Sequence, residues 1–362
     1  MRRTARFLRA FLRGGAHPGV RALDVAFEVD GEPREALLYL PPERGPAPAW
    51  VVMPGITVHG RHHPAMTRFA RSLAASGAVV LAPEVPAWSA LRVDSAAARR
   101  TLSAAILHLD GRPEVLGGHV GAIGFSFGAT QTVIAAADPA LHGHLRAVLG
   151  FGGYCDLGAA LRCNFTGEHE WRGVRYALEP DPYGRWVVVG NFATAVPGME
   201  HMGALARAAL TLAVEAGHFG AWAWDPVYDA RKAELRSELS PGERRIWDVV
   251  AGPAGAPVDA GAARELADAF AAAALACDPG LDPRPHLPNL HGRLLLTHGR
   301  QDRLIPFTET LRLTAMMPPH VDVSTTITGL FAHSAGAWLH PAQWARETGR
   351  FVGLLNRALN AV

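Results

Sequence analysis

Short apolar runs alternate with helix-like segments in this chain, and this alternation constrains its fold more than any other feature. The runs are apolar on both faces, which is typical of strands buried inside a parallel sheet. They cover residues 49–53, 78–81, 119–123 and 145–150. Helix signals lie between them, since Pro64 can open one helix and Asp94 or Ser95 can cap the next. The pattern predicts an α/β fold with a doubly wound, mostly parallel sheet.

Further strands are predicted at both ends of the chain. Asp30 and Gly31 form a hairpin turn signal between two apolar segments, so the chain is expected to open with an antiparallel pair. The alternating apolar pattern resumes at residue 293. The last strand and a closing helix are predicted at residues 321–327 and 341–359.

The pattern breaks between residues 155 and 286, where apolar positions recur mostly at helical spacing. Ser240 and Glu243 form a capping box, whereas residues 181–189 read as a turn and a short strand. We interpret this stretch as a largely helical cap over the carboxyl end of the sheet. The alternative is that it only covers an exposed sheet edge.

This interpretation divides the chain into three parts. Residues 21–154 and 287–362 form the α/β core, and residues 155–286 form the cap insertion. Residues 1–20 precede the core as an amphipathic helix rich in arginine. Its apolar residues are expected to dock on the core, and contact with an anionic membrane surface is the alternative. They are Phe7, Leu8, Phe11 and Leu12.

Ser126 lies between Gly124 and Gly128, where an apolar run meets an alanine-rich segment. A G-x-S-x-G pattern at a strand-to-helix junction is typical of a nucleophile elbow, because only small residues allow strand and helix to approach so closely. The serine hydroxyl is then presented at the carboxyl end of the sheet. Ser126 is therefore the predicted nucleophile.

A serine nucleophile needs a base and a carboxylate that orients the base. His333 follows the last predicted strand and is the candidate base. Asp302 follows the preceding strand and is the candidate acid, which gives the chain order Ser, Asp, His. Asp156, after the strand at 145–150, is the alternative acid. His298 reads as a structural histidine near a strand end.

An acyl-transfer site also needs donors for a negative oxygen. The backbone N–H of Phe127, directly after the nucleophile, is one candidate. The other is the N–H of Ile56 in the loop after the strand at 49–53, with Thr57 as the alternative. Gly55 in this loop lets the backbone turn its amide inward.

Composition narrows the class of protein further. The net charge of +2 gives no electrostatic footprint for nucleic acid. The three cysteines contain no C-x-x-C pair and are too few for a disulfide framework, so a reducing cytoplasm is expected. His59, His62 and His63 lack a partner at metal-ligand spacing, so no metal is expected.

These motifs resemble the α/β-hydrolase superfamily, in the style of dienelactone-hydrolase-like or prolyl-peptidase-like serine hydrolases. The resemblance rests on residues 54–56, 124–128, 298–302 and 306, and on His333. It implies a serine nucleophile, an acyl-enzyme and no cofactor. The chain lacks the His-Gly-Gly-Gly loop of lipase-type members and has serine where typical dienelactone hydrolases have cysteine.

The sequence leads to one main functional hypothesis, a serine hydrolase that cleaves a carboxylic ester or related acyl bond in a small molecule. An acyltransferase with the same triad is the second hypothesis, and a non-catalytic binding protein on the same fold is the third. Labelling of Ser126 by a fluorophosphonate distinguishes the catalytic hypotheses from the third. Peptide and carbon–carbon bond cleavage are further chemistries of such a triad.

Overall fold

The structure is a computed structural model that describes residues 1–330 and 341–362, without the side chains of residues 341–344. The strands are β1 Arg21–Val29, β2 Glu32–Leu40, β3 Ala47–Met53, β4 Val79–Pro83, β5 Val115–Phe125, β6 Leu145–Phe151, β7 Glu168–Trp171, β8 Val174–Ala177, β9 Arg293–Gly299 and β10 Asp322–Thr328. The helices are α1 Arg2–Leu12, α2 Pro64–Ala75, α3 Pro86–Ser89, α4 Ser95–Asp110, α5 Phe127–Ala135, α6 Leu157–Thr166, α7 Tyr183–Phe192, α8 Gly203–Phe219, α9 Asp229–Ser237, α10 Pro241–Val250, α11 Ala260–Cys277, α12 Phe307–Ala315 and α13 Pro341–Leu359.

Eight of these strands form one sheet in the order β1-β2-β4-β3-β5-β6-β9-β10. β1 pairs with β2 and β2 with β4 in antiparallel fashion, and the remaining neighbours are parallel. The β1–β2 turn uses Asp30 and Gly31, both at positive φ. The doubly wound, mostly parallel sheet predicted from the sequence is confirmed. The carboxyl ends of β3, β5, β6 and β9 meet at one edge, where side chains from distant parts of the chain can converge.

Helices cover both faces of this sheet. The first face packs on α1, α2 and α13, and the second packs mainly on α4. α1 lies against the body through Phe7, which is fully buried, and Thr4 donates a hydrogen bond to Asn356 Oδ1 of α13 at 3.2 Å. No helix among the described residues is long and apolar enough to cross a bilayer.

An unbroken set of aromatic rings connects α1 to the end of β5. The ring centroids of Phe7 and Phe69 are 5.2 Å apart, and Phe69 lies 5.3 Å from Phe125 and 5.6 Å from Phe151. Phe125 and Phe151 stack on each other at 4.9 Å. These four rings, here called the aromatic chain, fill the core directly beneath the turn that follows β5.

Between β6 and β9 the chain forms α6 to α11 and the two-stranded hairpin β7–β8. The helices share a large apolar cluster that includes Trp186, Trp247 and Phe270. The strand expected within residues 181–189 is wrong, because Tyr183–Phe192 is helical. Burial of Trp186, Val187 and Val189 against neighbouring helices outweighs the β-propensity of the valines.

Candidate active site

Ser126 occupies the tight turn between β5 and α5, in a conformation that side chains rarely adopt. Its φ and ψ are 56° and −127°. The Ser126 N–H donates to the Phe151 carbonyl at 2.7 Å, which continues the β5–β6 pairing beyond the end of the strand. A backbone held in such a sparsely populated region costs about 1–3 kcal/mol and is found mostly at functional sites.

The glycines on either side of Ser126 make this turn possible. A Cβ on Gly124 would lie 2.3 Å from the Gly128 carbonyl oxygen, and a Cβ on Gly128 would lie 2.1 Å from the Pro54 carbonyl oxygen. Both distances are shorter than any real contact of a Cβ atom. The G-x-S-x-G pattern is therefore required by backbone packing at this junction, independently of what Ser126 does.

The loop after β3 lies directly beside Ser126. A Cβ on Gly55 would be 3.1 Å from the Ser126 Cβ and 3.5 Å from its Oγ. Among the described residues, the backbone N–H groups of Ile56 and Phe127 donate to no acceptor. Phe127 begins α5, and the first N–H groups of a helix have no partner within the helix. Two N–H groups with no acceptor among the described residues therefore lie in the two segments next to Ser126, and an oxyanion site needs such donors.

Asp302 lies in the loop after β9 with its carboxylate buried at 2% exposure. Its Oδ1 accepts hydrogen bonds from the N–H groups of Leu304 and Ile305, both at 3.0 Å. These two residues line the same cavity as Ser126. The loop that contains Asp302 and the serine turn therefore line one cavity.

His298, at the end of β9, is fully buried and supports that loop. Its Nε2 lies 2.8 Å from the Ile305 carbonyl oxygen and 3.5 Å from Asp302 Oδ2. Because a carbonyl only accepts, Nε2 carries a proton, and Thr310 Oγ1 at 2.7 Å faces Nδ1. Both ring nitrogens have protein partners, so His298 fixes the loop and is not available to Ser126.

Asp156, the alternative acid, hydrogen-bonds to α6 and to Arg284. Its Oδ1 accepts from the Ala159 N–H at 3.1 Å and caps α6, and its Oδ2 accepts from Arg284 Nη1 at 3.1 Å. Its own N–H donates to Glu309 Oε2 at 2.7 Å. Glu309 is fully buried, and that burial raises its pKa. Both carboxylate oxygens of Asp156 are thereby engaged outside the serine turn.

His333, the predicted base, lies outside the described residues. The chain on each side of it is placed by β10, which ends at Thr328, and α13, which begins at Pro341. Glu347 of α13 accepts a hydrogen bond from the Gly329 N–H at 3.1 Å.

Ser126 lines a pocket of about 850 Å³, a volume that includes space open to solvent. Its floor comes from the loops at the carboxyl ends of the strands, and its walls come from α6, α7 and α11. The lining residues are Ile56, Val93, Ser126, Phe127, Tyr154, Leu157, Ala160, Leu161, Asn164, Tyr183, Gly184, Val187, Val188, Phe192, Ala274, Leu281, Leu304 and Ile305. No charged side chain is among these described residues, so the cavity suits an uncharged, mainly apolar group.

Sequence reasoning did not identify the wall residues of this cavity. Asn164 and Tyr183 line it from α6 and α7, and neither carries a motif. The helical spacing of Leu157, Leu161 and Asn164 was a usable signal, because these positions share one face of α6.

The histidines at 59, 62 and 63 lie in the loop after β3 and at the start of α2. Among the described residues, no group of three or more potential ligands for a metal occurs.

The sheet order and the serine turn together define the α/β-hydrolase fold. No protein-family model matches this sequence, and no curated protein matches it significantly. The solved acylaminoacyl peptidase of Pyrococcus horikoshii, in its orthorhombic crystal form, is similar over 96% of this chain and 43% of its own, with a TM-score of 0.52 and 12% identity. This chain thus spans less than half the length of that peptidase.

Two further solved structures are similar to the chain. An acylaminoacyl peptidase in complex with Z-Gly-Gly-Phe-chloromethyl ketone has a TM-score of 0.50 and 12% identity, over 96% of this chain and 43% of its own. A 2,6-dihydroxy-pseudo-oxynicotine hydrolase has a TM-score of 0.46 and 15% identity, over 91% of this chain and 67% of its own. At 12% identity, the similarity to the two peptidase structures shows a shared fold and nothing more.

Proposed function

We propose that this protein is a serine hydrolase that cleaves a carboxylic ester or related acyl bond through an acyl-Ser126 intermediate. The observation that carries the proposal is the turn at Ser126, where a strained serine opens onto an apolar cavity and adjoins two segments that carry unpaired N–H donors. The α/β-hydrolase fold supports the same chemistry. A solved structure with this fold is named an acylaminoacyl peptidase, which also supports a hydrolase.

In this mechanism His333 takes the Ser126 proton as the hydroxyl attacks the acyl carbonyl. Asp302 orients the imidazole and stabilises its charged form. The N–H groups of Ile56 and Phe127 bind the oxyanion of the tetrahedral intermediate. His333 then protonates the leaving group, and a water molecule activated by the same imidazole releases the acyl group as a carboxylic acid.

The cavity supports an uncharged acyl substrate of medium size. Its walls are mainly aliphatic and aromatic, and it lacks a charged lining residue among those described. An ester or thioester with an apolar chain suits these walls better than a charged peptide, because burying an unpaired charge is costly.

The three cysteines are unpaired, which supports a reducing compartment such as the cytoplasm.

Replacement of the nucleophile tests this proposal directly. Ser126→Ala is expected to lower kcat/KM for p-nitrophenyl esters by about 10⁴-fold or more, because every later step depends on the acyl-serine. It should also abolish labelling by a fluorophosphonate. Ser237→Ala, an exposed serine on α9, is the matched control and should behave like the wild type. Equal ester hydrolysis by the Ser126→Ala and wild-type proteins would refute the proposal.

Product analysis separates hydrolysis from the other reactions of such a site. With an ester substrate and an added alcohol, a hydrolase should release mainly the carboxylic acid, whereas an acyltransferase should form the new ester. A parallel series of peptide amides measures peptide bond cleavage. We expect the acid from esters and slow turnover of amides.

A further inference from the structure

Asn164 is the one side-chain amide among the described residues that line the active-site cavity. It lies in the last turn of α6, on the face that also presents Leu157, Ala160 and Leu161 to the cavity. Only 2% of the residue is exposed. A polar group at such a position needs a hydrogen-bonding role, because burying it without partners is costly.

Only one end of this amide has a partner. Asn164 Nδ2 donates to the Asp181 carbonyl oxygen at 2.9 Å. The Oδ1 atom is buried and accepts no hydrogen bond from the described residues. Reversing the amide would place Oδ1 against the Asp181 carbonyl, and two acceptors repel. The hydrogen-bond pattern therefore fixes Oδ1 as an unused acceptor.

The start of α7 makes room for this amide. Gly184 faces it, and a Cβ at that position would lie 2.9 Å from Asn164 Nδ2 and 3.2 Å from Oδ1. Gly184 itself lines the cavity. The amide is thus held between α6 and the first turn of α7, in the wall of the cavity onto which Ser126 opens.

We infer that Asn164 Oδ1 accepts a hydrogen bond from the substrate and so determines specificity. The substrate class is an acyl compound with a mainly apolar body that carries one uncharged donor, a hydroxyl or an amide N–H. Ethers, ketones and other groups that only accept hydrogen bonds do not satisfy this atom. The inference rests on the proposed function, since it places the donor on the substrate of Ser126.

Matched esters test the inference. The probes are p-nitrophenyl hexanoate, its hydroxy derivatives at carbons 3 and 6, and the corresponding methoxy derivatives. The hydroxy and methoxy esters both carry an oxygen, but only the hydroxy ester donates. At one chain position we expect kcat/KM for the hydroxy ester to exceed that for the methoxy ester by about 10-fold or more, which corresponds to about 1.4 kcal/mol.

Two variants show whether Asn164 causes this preference. Asn164→Leu removes the acceptor, keeps the branched shape of the side chain, and is expected to bring the hydroxy-to-methoxy ratio close to one. Gly184→Ala displaces the amide without removing it and should also lower the ratio. This variant provides the test if Asn164→Leu does not fold. A ratio equal to that of the wild type in either folded variant overturns the inference.

Binding separates this inference from the proposed function. Calorimetry on the Ser126→Ala protein measures the affinity for the same esters without turnover. If the wild type hydrolyses no ester, yet Ser126→Ala binds the hydroxy ester more tightly and the added Asn164→Leu change removes that difference, the inference holds and the proposed function fails. Ester hydrolysis with no hydroxy preference at any chain position would support the proposed function and overturn the inference.

Discussion

Asp302 and Asp156 follow neighbouring strands, yet hydrogen bonds give them different tasks. Asp302 is buried, and its Oδ1 orders a loop that lines the cavity beside Ser126. Asp156 caps α6 and pairs with Arg284, and both members of that pair are about one-third exposed, at 35% and 37%. At the residue scale these surroundings favour Asp302 as the acid that orients the base.

Asparagine substitutions at the two positions should separate their roles. Asp302→Asn keeps an oxygen for the N–H groups of Leu304 and Ile305 but removes the charge, so kcat/KM is expected to fall by roughly 10²–10⁴-fold with little change in Tm. Asp156→Asn keeps the helix cap and loses only an exposed ion pair, which contributes at most about 1 kcal/mol. Ester kinetics and thermal unfolding of both variants measure this difference. The reverse pattern, with activity lost in Asp156→Asn, would assign the acid to Asp156.

Single residues also show where sequence reasoning reaches its limit. The turn at Ser126 is predictable, because Gly124 and Gly128 report a close backbone approach that no other residue allows. Asn164 is not predictable, because its role depends on Gly184 and Asp181, which approach it only in the folded chain. The spacing of residues in the sequence reveals constraints on the backbone. It does not reveal which residues will contact a buried side chain.

At the scale of elements, tertiary packing decides what local propensity leaves ambiguous. The β-strands of the main sheet are predictable from continuous apolar runs bounded by glycine or proline. The run of valines at 187–189 looks similar but belongs to α7, because its neighbours in space are helices. The hairpin β7–β8 was not predicted, since each of its strands has only 4 residues and most of these residues are exposed.

The hairpin β7–β8 carries a pH-sensitive contact. His169 of β7 stacks on Tyr176 with ring centroids 5.0 Å apart and lies 3.1 Å from Thr308 Oγ1. Burial, with a smaller contribution from His298, lowers the pKa of His169 to about 4. Between pH 4 and the ordinary histidine pKa of about 6.5, the unfolded chain binds this proton and the folded chain does not.

The free energy of unfolding should therefore fall as the pH is lowered from about 6.5 to about 4. His169 is expected to contribute on the order of 1–3 kcal/mol to this loss, and His169→Gln should reduce the slope over that interval. Urea denaturation at pH 7 and pH 4.5 measures the effect. His201→Gln, at an exposed position, should keep the wild-type slope. Equal slopes for His169→Gln and the wild type would contradict the assignment.

The N-terminal helix is stabilised by one buried ring. Phe7 is fully buried against Phe69, whereas Leu12 on the same helix is 80% exposed. Phe7→Ala is expected to lower the free energy of unfolding by about 3 kcal/mol, because it leaves a cavity in the core. Leu12→Ala should change it by no more than about 0.5 kcal/mol. Chemical denaturation of both variants tests this prediction, which fails if the two changes are equally small.

At the scale of the whole molecule, the cavity is built from two parts of the chain that are distant in sequence. Loops at the carboxyl ends of the strands present Ser126 and the loop of Asp302, and the helices between β6 and β9 present apolar walls. In the proposed mechanism the first part performs the chemistry and the second selects the substrate. A change in the walls should therefore alter chain-length preference without removing the reaction.

Val188 of α7 offers such a change, since it lines the cavity. Val188→Phe should reduce kcat/KM for esters with long chains by about 10-fold or more, because overpacking costs about 1–3 kcal/mol, and should spare acetate esters. Kinetics over a p-nitrophenyl acyl series and an alkyl acetate series measure the effect on either side of the scissile bond. Val227→Phe, at a site that is 50% exposed, is the control. A uniform loss across both series would argue that the walls do not select chain length.

The aromatic chain connects the N-terminal helix α1 to the turn that holds Ser126. Phe7 contacts Phe69, which contacts Phe125, and Phe125 is bonded directly to Ser126. The first helical turns of the protein are thus joined to the nucleophile through three rings, although more than a hundred residues separate them along the chain. A truncation that removes Phe7 therefore takes away a ring that packs against Phe69, which in turn contacts the residue bonded to Ser126.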